Sequence, residues 1–297
     1  NVLDSAVFRI TRDAELSIDE EGAEDLLLEI EGQLKKRDKG KPIRLECQSD
    51  ASEDIKLFLK ENINFYNGFF FDIEGPIDIS SFMQIATVRG FQHLKDVSLP
   101  PISSFEFQNE KESIFSIIAK KDRLLSHPYE SFDPVTRFIE EASVDPKVLA
   151  IKMTLYRTSG DSPIISALKK AAENKKQVTV VVELKARFDE AQNINWAKQL
   201  EQVGCHVVYG LVGLKIHCKM ALVVRDEDDG IKRYIHLSTG NYNDKTARIY
   251  TDLGIFTSRK SYGRDVSAIF NLLTGYSEPP RWKKMVCAPL DLRNFFI

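Results

Sequence analysis

Residues 213–250 read GLKIHCKMALVVRDEDDGIKRYIHLSTGNYNDKTARIY. At the start of this stretch Lys215, His217 and Lys219 alternate with Leu214, Ile216, Cys218 and Met220, a period of two that predicts a β-strand. A strand rises about 3.3 Å per residue and sends successive side chains to opposite faces, so the three basic residues are expected on one face, roughly 7 Å between next neighbours. A histidine in an apolar strand is ordinarily a packed residue with its ring nitrogens satisfied. Burying this one with two lysines on its own face would place three costly groups in the core, whereas a cleft open to solvent or phosphate removes the cost. The second half predicts a strand at 234–239 that runs into the turn Gly240, Asn241, Tyr242, Asn243, where glycine and two amides can set several donors around an anion.

Upstream, 148–156 is a nearly continuous apolar run, as in a strand covered on both faces, with Arg157 at its carboxyl end. A helix over about 163–174 leads to a strand at 177–184, followed by Lys185 and Arg187. Another helix at about 193–203 precedes a strand at 206–209. Successive β-α-β units imply a largely parallel sheet, whose ligands bind at the carboxyl ends of the strands. Arg157 and Arg187 are thus expected at one edge, where their planar guanidinium groups suit bidentate phosphate contacts. Downstream, a strand at 250–257 and a helix at about 262–273 complete the pattern, and DEDDG at 226–230 reads as a hairpin tip.

Toward the N-terminus a strand at 7–10, a helix capped by Ser17 or Asp19 and ending near Arg37, a strand at 43–47 and a helix at about 52–63 alternate, with a further strand at 69–73. Asp133 before Pro134 is the expected N-cap of a helix running to about Ala142. Pro100 and Pro101 mark the best domain boundary. We expect an α+β domain over 1–103, a larger α/β domain over 104–284, and the start of a further domain at 285–297. Asn1 and the apolar NFFI end read as cuts in a longer chain.

With 297 residues, 43% of them hydrophobic, the chain can bury a large core. It has no apolar run long enough to span a membrane, and four scattered cysteines without a C-x-x-C pair argue against a zinc site. The formal charge of −3 is unevenly spread: residues 1–151 carry −11, 152–260 carry +6 and the remainder +2. The positive excess coincides with the proposed site, as a polyanion substrate requires, although solvated helix faces can produce the same imbalance.

The H-x-K of His217 and Lys219, followed by the G-x-x-N of 240–243, resembles one half-site of the phospholipase D superfamily. That pattern carries an aspartate seven residues after the histidine; here the position is Val224, with Asp226 nearest. Longer strings are similar to one branch: HPYESFDPV at 127–135, KMTLYR at 152–157, ELKARFDE at 183–190, GLKIHCKM at 213–220 and HLSTGNYNDKTARIYTD at 236–252. Together they resemble the bacterial polyphosphate kinase family of the phosphohistidine type, over nearly the whole chain.

The resemblance implies a phospholipase D-like layered α/β domain with a mixed, largely parallel sheet, preceded by the later part of a smaller head domain. It implies a phosphotransferase with ATP as donor, ADP as product, magnesium as cofactor and a linear polyphosphate chain as acceptor. His217 is expected as the phosphohistidine nucleophile, assisted by Lys219, with Arg157, Arg187, Lys215, Asn241 and Asn243 as phosphate-binding residues. The family associates the positions matching Arg157 and Arg187 with magnesium and the position matching Tyr250 with ATP. A guanidinium has donors and no acceptor, so these arginines are read as binding the phosphates that hold the metal. A second histidine half-site and further ATP contacts are expected outside these residues, so the isolated chain is expected to be inactive. No nucleic-acid partner is expected. For the full protein the expectations are a cytoplasmic homo-oligomer with peripheral association at the inner membrane. The competing readings are a phospholipase D-like phosphodiesterase and a non-catalytic polyanion-binding module.

Overall fold

In the computed structural model of the chain, residues 1, 3, 16–25, 38, 64, 66, 67, 98, 110, 276 and 278–280 lie outside the described residues. The expected cap at Ser17 or Asp19 falls among them. Two units are distinguished, one comprising residues 1–19 and 28–98, the other 20–27 and 99–297.

In the first, strand β1 (Phe8–Arg12), helix α1 (Leu26–Arg37), β2 (Pro42–Gln48), α2 (Glu53–Asn62) and β3 (Phe69–Ile73) follow in order. The central strand β2 pairs antiparallel with β1 and parallel with β3. Leu45, Cys47, Ala51 and Leu59 form its core. Ser52 has extended backbone angles and its side chain accepts from the Ile55 N–H, so α2 begins where its sequence provides a cap.

The second unit runs α3 (Ile114–Lys120), β4 (Arg123–His127), α4 (Asp133–Val144), β5 (Val148–Leu155), α5 (Pro163–Glu173), β6 (Gln177–Val182), α6 (Glu190–Gln202), β7 (His206–Val208), β8 (Lys219–Glu227), β9 (Gly230–Ser238), β10 (Asp252–Thr257), α7 (Lys260–Gly275) and α8 (Leu292–Phe296). Asp133 lies inside α4 rather than capping it; Phe132 takes the flanking position.

The seven strands are ordered β4-β10-β9-β8-β5-β6-β7. Only β5-β6 and β6-β7 pair in parallel; β5-β8, β8-β9, β9-β10 and β10-β4 are antiparallel. The sheet is mixed, and the expectation of a largely parallel one is corrected. The reason lies in the connections: helices α5 and α6 provide the crossovers that parallel neighbours need, whereas the turn after Glu227 joins β8 and β9 as a hairpin.

Both faces are covered. Met220, Leu222 and Ile235 pack with Val266, Ile269, Phe270 and Leu273 of α7. On the other face Phe115, Phe138, Tyr234 and Phe256 are fully buried in mutual ring contacts. Each such ring contributes about 1.5–3 kcal/mol by leaving water. This double cover explains the unbroken apolar run of β5, where Ile151 and Met153 are completely buried.

Candidate active site

The parallel strands β5 and β6 end side by side, and the residues that follow them form the floor of the site. Asn193, buried at the start of α6, donates to the carbonyls of Tyr156 (2.7 Å) and Glu183 (2.8 Å), holding the two strand ends together. Arg157 donates to the backbone carbonyl of Arg187 at 3.0 Å, and its Nε lies 3.1 Å from a carboxylate oxygen of Asp189. The two arginine positions therefore share one edge, with Arg187 exposed.

Glu183 is 1% exposed. Its carboxylate accepts from the backbone N–H of Lys185 at 2.8 Å and from that of Ile216 at 2.7 Å. Thr154 donates to the Cys218 carbonyl and accepts from the Met220 N–H. These side chains take the backbone bonds a strand ladder would otherwise take, so residues 215–218 are irregular and β8 begins only at Lys219. The expected strand over 215–218 is corrected, and with it the expectation that Lys215, His217 and Lys219 share one strand face. Lys219 and Ile216 are buried, whereas Lys215, His217 and Cys218 are exposed.

The loop nevertheless gathers the basic groups around His217. Its ring stands T-shaped to that of Tyr156, centroids 5.0 Å apart at 79°. The Lys219 ammonium donates to the His217 carbonyl at 2.5 Å and sits 5.1 Å from the Tyr156 ring centre. The Arg157 guanidinium lies 5.7 Å from the same ring. Partial burial, then Lys219, then Arg157 lower the His217 pKa, favouring the neutral imidazole. Burial is also the main cause that lowers Lys219. Lys215 extends to the Lys185 carbonyl at 3.1 Å.

The turn after β9 is anchored from beneath. The hydroxyl of buried Tyr242 meets Nδ1 of buried His236 at 3.0 Å, and burial, with His127 nearby, takes the His236 pKa down to about 3. Asp244 accepts from Ser159, tying this turn to the loop after β5. A side chain at Gly240 would come within 3 Å of Asp252, so only glycine lets the chain pass there. The donors expected around an anion are partly committed: the Gly240 N–H goes to Ser238 and the Asn243 N–H to the Asn241 carbonyl. The Asn243 side-chain oxygen accepts from Lys245 and Thr246, leaving its NH2 as the group it can offer a ligand. Asn241 Oδ1 is buried without a partner among the described residues. Tyr250 is 60% exposed rather than packed in the core. Val224, where an aspartate completes the related pattern, packs partly buried against the apolar core beneath α7.

Sequence reading did not single out Tyr156, Asn193, Glu183 or the His236–Tyr242 pair. Their roles come from long-range contacts; only the strand parity of His236, alternating with Ile235 and Leu237, offered a signal. Among the described residues no group of three or more His, Cys, Asp or Glu side chains could hold a metal ion. No described helix is long and apolar enough to cross a membrane.

A family model described as polyphosphate kinase C-terminal domain 1 matches residues 113–279, and one described as polyphosphate kinase middle domain matches residues 1–85. Relatives named polyphosphate kinase include those of Halalkalibacterium halodurans, 50% identical over 98% of the chain and 41% of the relative, and of Lactiplantibacillus plantarum, 48% identical over 99% and 41%. The chain thus spans about two fifths of the length of these curated relatives. The crystal structure of polyphosphate kinase from Porphyromonas gingivalis matches 99% of this chain and 42% of its own, with 28% identity and a TM-score of 0.77.

Proposed function

This chain belongs to the polyphosphate kinase family, and from that premise we propose that the protein containing it transfers the terminal phosphate of ATP reversibly to a linear polyphosphate through a phosphohistidine at His217. The observation that carries the reading is the exposed imidazole of His217, held against Tyr156 with the cations of Lys219 and Arg157 gathered at the same ring, and with its pKa lowered by partial burial and by those two cations. A neutral ring nitrogen attacks the terminal phosphorus of ATP, the bond to the bridging oxygen breaks, and ADP departs. The terminal oxygen of the polymer then attacks the phosphohistidine, lengthening the chain by one phosphate and restoring the imidazole. Such transfer depends on positioning and charge stabilisation more than on a strong base.

In this reading Lys219, Arg157 and Arg187 meet the transferring oxygens, and Lys215, Asn241 and Asn243 line the path of the phosphates. Tyr250, exposed beyond the G-x-x-N turn, contacts ATP. Magnesium would be held through the ATP phosphates and would neutralise their charge, with Arg157 and Arg187 binding those phosphates, because a guanidinium has no acceptor with which to ligate a cation. Residues 1–103 act as the later part of a head domain, 104–284 as the catalytic domain and 285–297 as the start of the next. The full protein is read as a cytoplasmic homo-oligomer, peripheral at the inner membrane, with a second histidine half-site outside this chain.

The test is incubation of the full-length protein with ATP labelled in its terminal phosphate. An acid-labile, alkali-stable label on His217 is expected, and His217→Ala should abolish both label and polymer. Polymer synthesis at the wild-type rate by that variant overturns the assignment.

A further inference from the structure

A second basic cavity lies at the other end of the β8-β9 hairpin. It has a volume of about 760 Å³ and is walled by the start of β9 and the first three turns of α7. Arg233 stands five residues along the ladder from the Lys219–Ser238 pair, a separation of roughly 17 Å, so the cavity is distinct from the site at His217.

Four cations line it, Lys232 and Arg233 from β9 and Lys260 and Arg264 one turn apart on α7, with a single carboxylate, Asp229 of the hairpin tip. Their arrangement follows from two features of the sequence. Along β9, Arg233 shares the face of Ile235, which packs on α7. On the helix, 260, 264, 267 and 271 recur at helical spacing and are Lys, Arg, Ser and Asn, so α7 turns a polar stripe to the cavity. Gly263 lies between them. A side chain there would meet Cβ and Cδ of Arg233 at 3.2 Å, so the bare helix surface lets the stem of Arg233 lie across α7 and carries its guanidinium toward Lys260 and Arg264.

Neighbouring cations are neutralised and these are not. Arg259 pairs with Asp122 at 2.8 Å and Arg225 with Asp145 at 2.8 Å. Among the described residues Lys232, Arg233, Lys260 and Arg264 form no ion pair within 4 Å, even with Asp229 in the same lining, and Asp265, beside Arg264, is instead buried against the backbone N–H groups of 283–285. Gathering four cations against one carboxylate around a single concavity leaves a net repulsion until an anion enters it, and the positive end of the α7 dipole adds to the field without creating the site. Ser267 donates its hydroxyl hydrogen to the Gly263 carbonyl, so a ligand is met chiefly by the four cations and the Asn271 amide. The volume exceeds what one phosphate fills, and the cations come from two elements.

We propose that this cavity is a second anion site, built for an oligophosphate segment with several adjacent phosphates. Anion binding in this cavity does not depend on catalysis at His217, and the two can be tested apart.

The experiment is calorimetric titration of the 297-residue chain with tripolyphosphate. In a chain carrying Arg157→Gln and Arg187→Gln, one equivalent should still bind. Adding Lys260→Ser and Arg264→Ser should weaken that equivalent at least tenfold without changing the melting temperature, since both side chains are exposed. Loss of all binding in the first variant, or unchanged affinity in the second, overturns the proposal. Citrate at the same concentration should not compete; equal competition would reduce the cavity to a general anion patch and overturn the assignment to oligophosphate.

Discussion

The ring of Tyr156 stands T-shaped to the imidazole of His217, centroids 5.0 Å apart. It limits how the histidine can turn, and its π face also receives the Lys219 ammonium at 5.1 Å. One aromatic side chain at the end of β5 thus orders both the proposed nucleophile and its nearest cation. Ring contacts of this kind contribute about 0.5–1.5 kcal/mol, up to roughly tenfold in rate if felt fully in the transition state. Tyr156→Phe should keep the rate of His217 phosphorylation within twofold in the full-length protein, and Tyr156→Ala should lower it about tenfold. An alanine variant as fast as wild type would show that the contact orders nothing.

Glu183 should matter through structure. Its buried carboxylate holds the N–H groups of Lys185 and Ile216, the second of which belongs to the loop that carries His217. Hydrogen bonds to a charged group contribute about 1.5–3 kcal/mol each, and Glu183→Ala leaves two N–H groups without their acceptor. We expect a loss of about 2–4 kcal/mol in urea unfolding of this chain, with Glu183→Gln intermediate because the amide oxygen can serve one of the two. Equal stability of all three proteins would contradict the bridging role.

His236 makes stability depend on pH. Its pKa falls from 6.5 when unfolded to about 3 when buried. Between those values the unfolded chain binds a proton that the folded chain refuses. This contribution is therefore constant above about pH 6.5 and is lost as pH falls toward 3, at about 1.4 kcal/mol per pH unit. From pH 7 to pH 5 the folded state should lose about 2 kcal/mol on this account. His236→Gln should show a correspondingly shallower decline in its urea midpoint, and parallel declines in the two proteins would remove His236 as the cause.

The chain's elements and its candidate residues were largely set by local pattern. The apolar run of β5, the helical spacing of α5 and the start of α2 near Ser52 report local physics, and these three elements lie within a few residues of where pattern alone puts them, whereas pattern offered no strand at Arg123–His127. The motif strings likewise brought His217, Lys219, Arg157 and Arg187 forward as chemistry-bearing positions. Tertiary structure decided how they meet. Alternation placed Lys215, His217 and Lys219 on one strand face, but Glu183, 33 residues before Ile216, and Thr154, 64 before Cys218, take the backbone bonds of that segment and turn it into a loop. Sheet pairing was equally beyond local pattern, because a strand's periodicity is the same whichever direction its neighbour runs. The partners of His217 and the hold of His236 on Tyr242 depend on packing between elements, and no spacing within one segment encodes which distant side chain will satisfy a buried group.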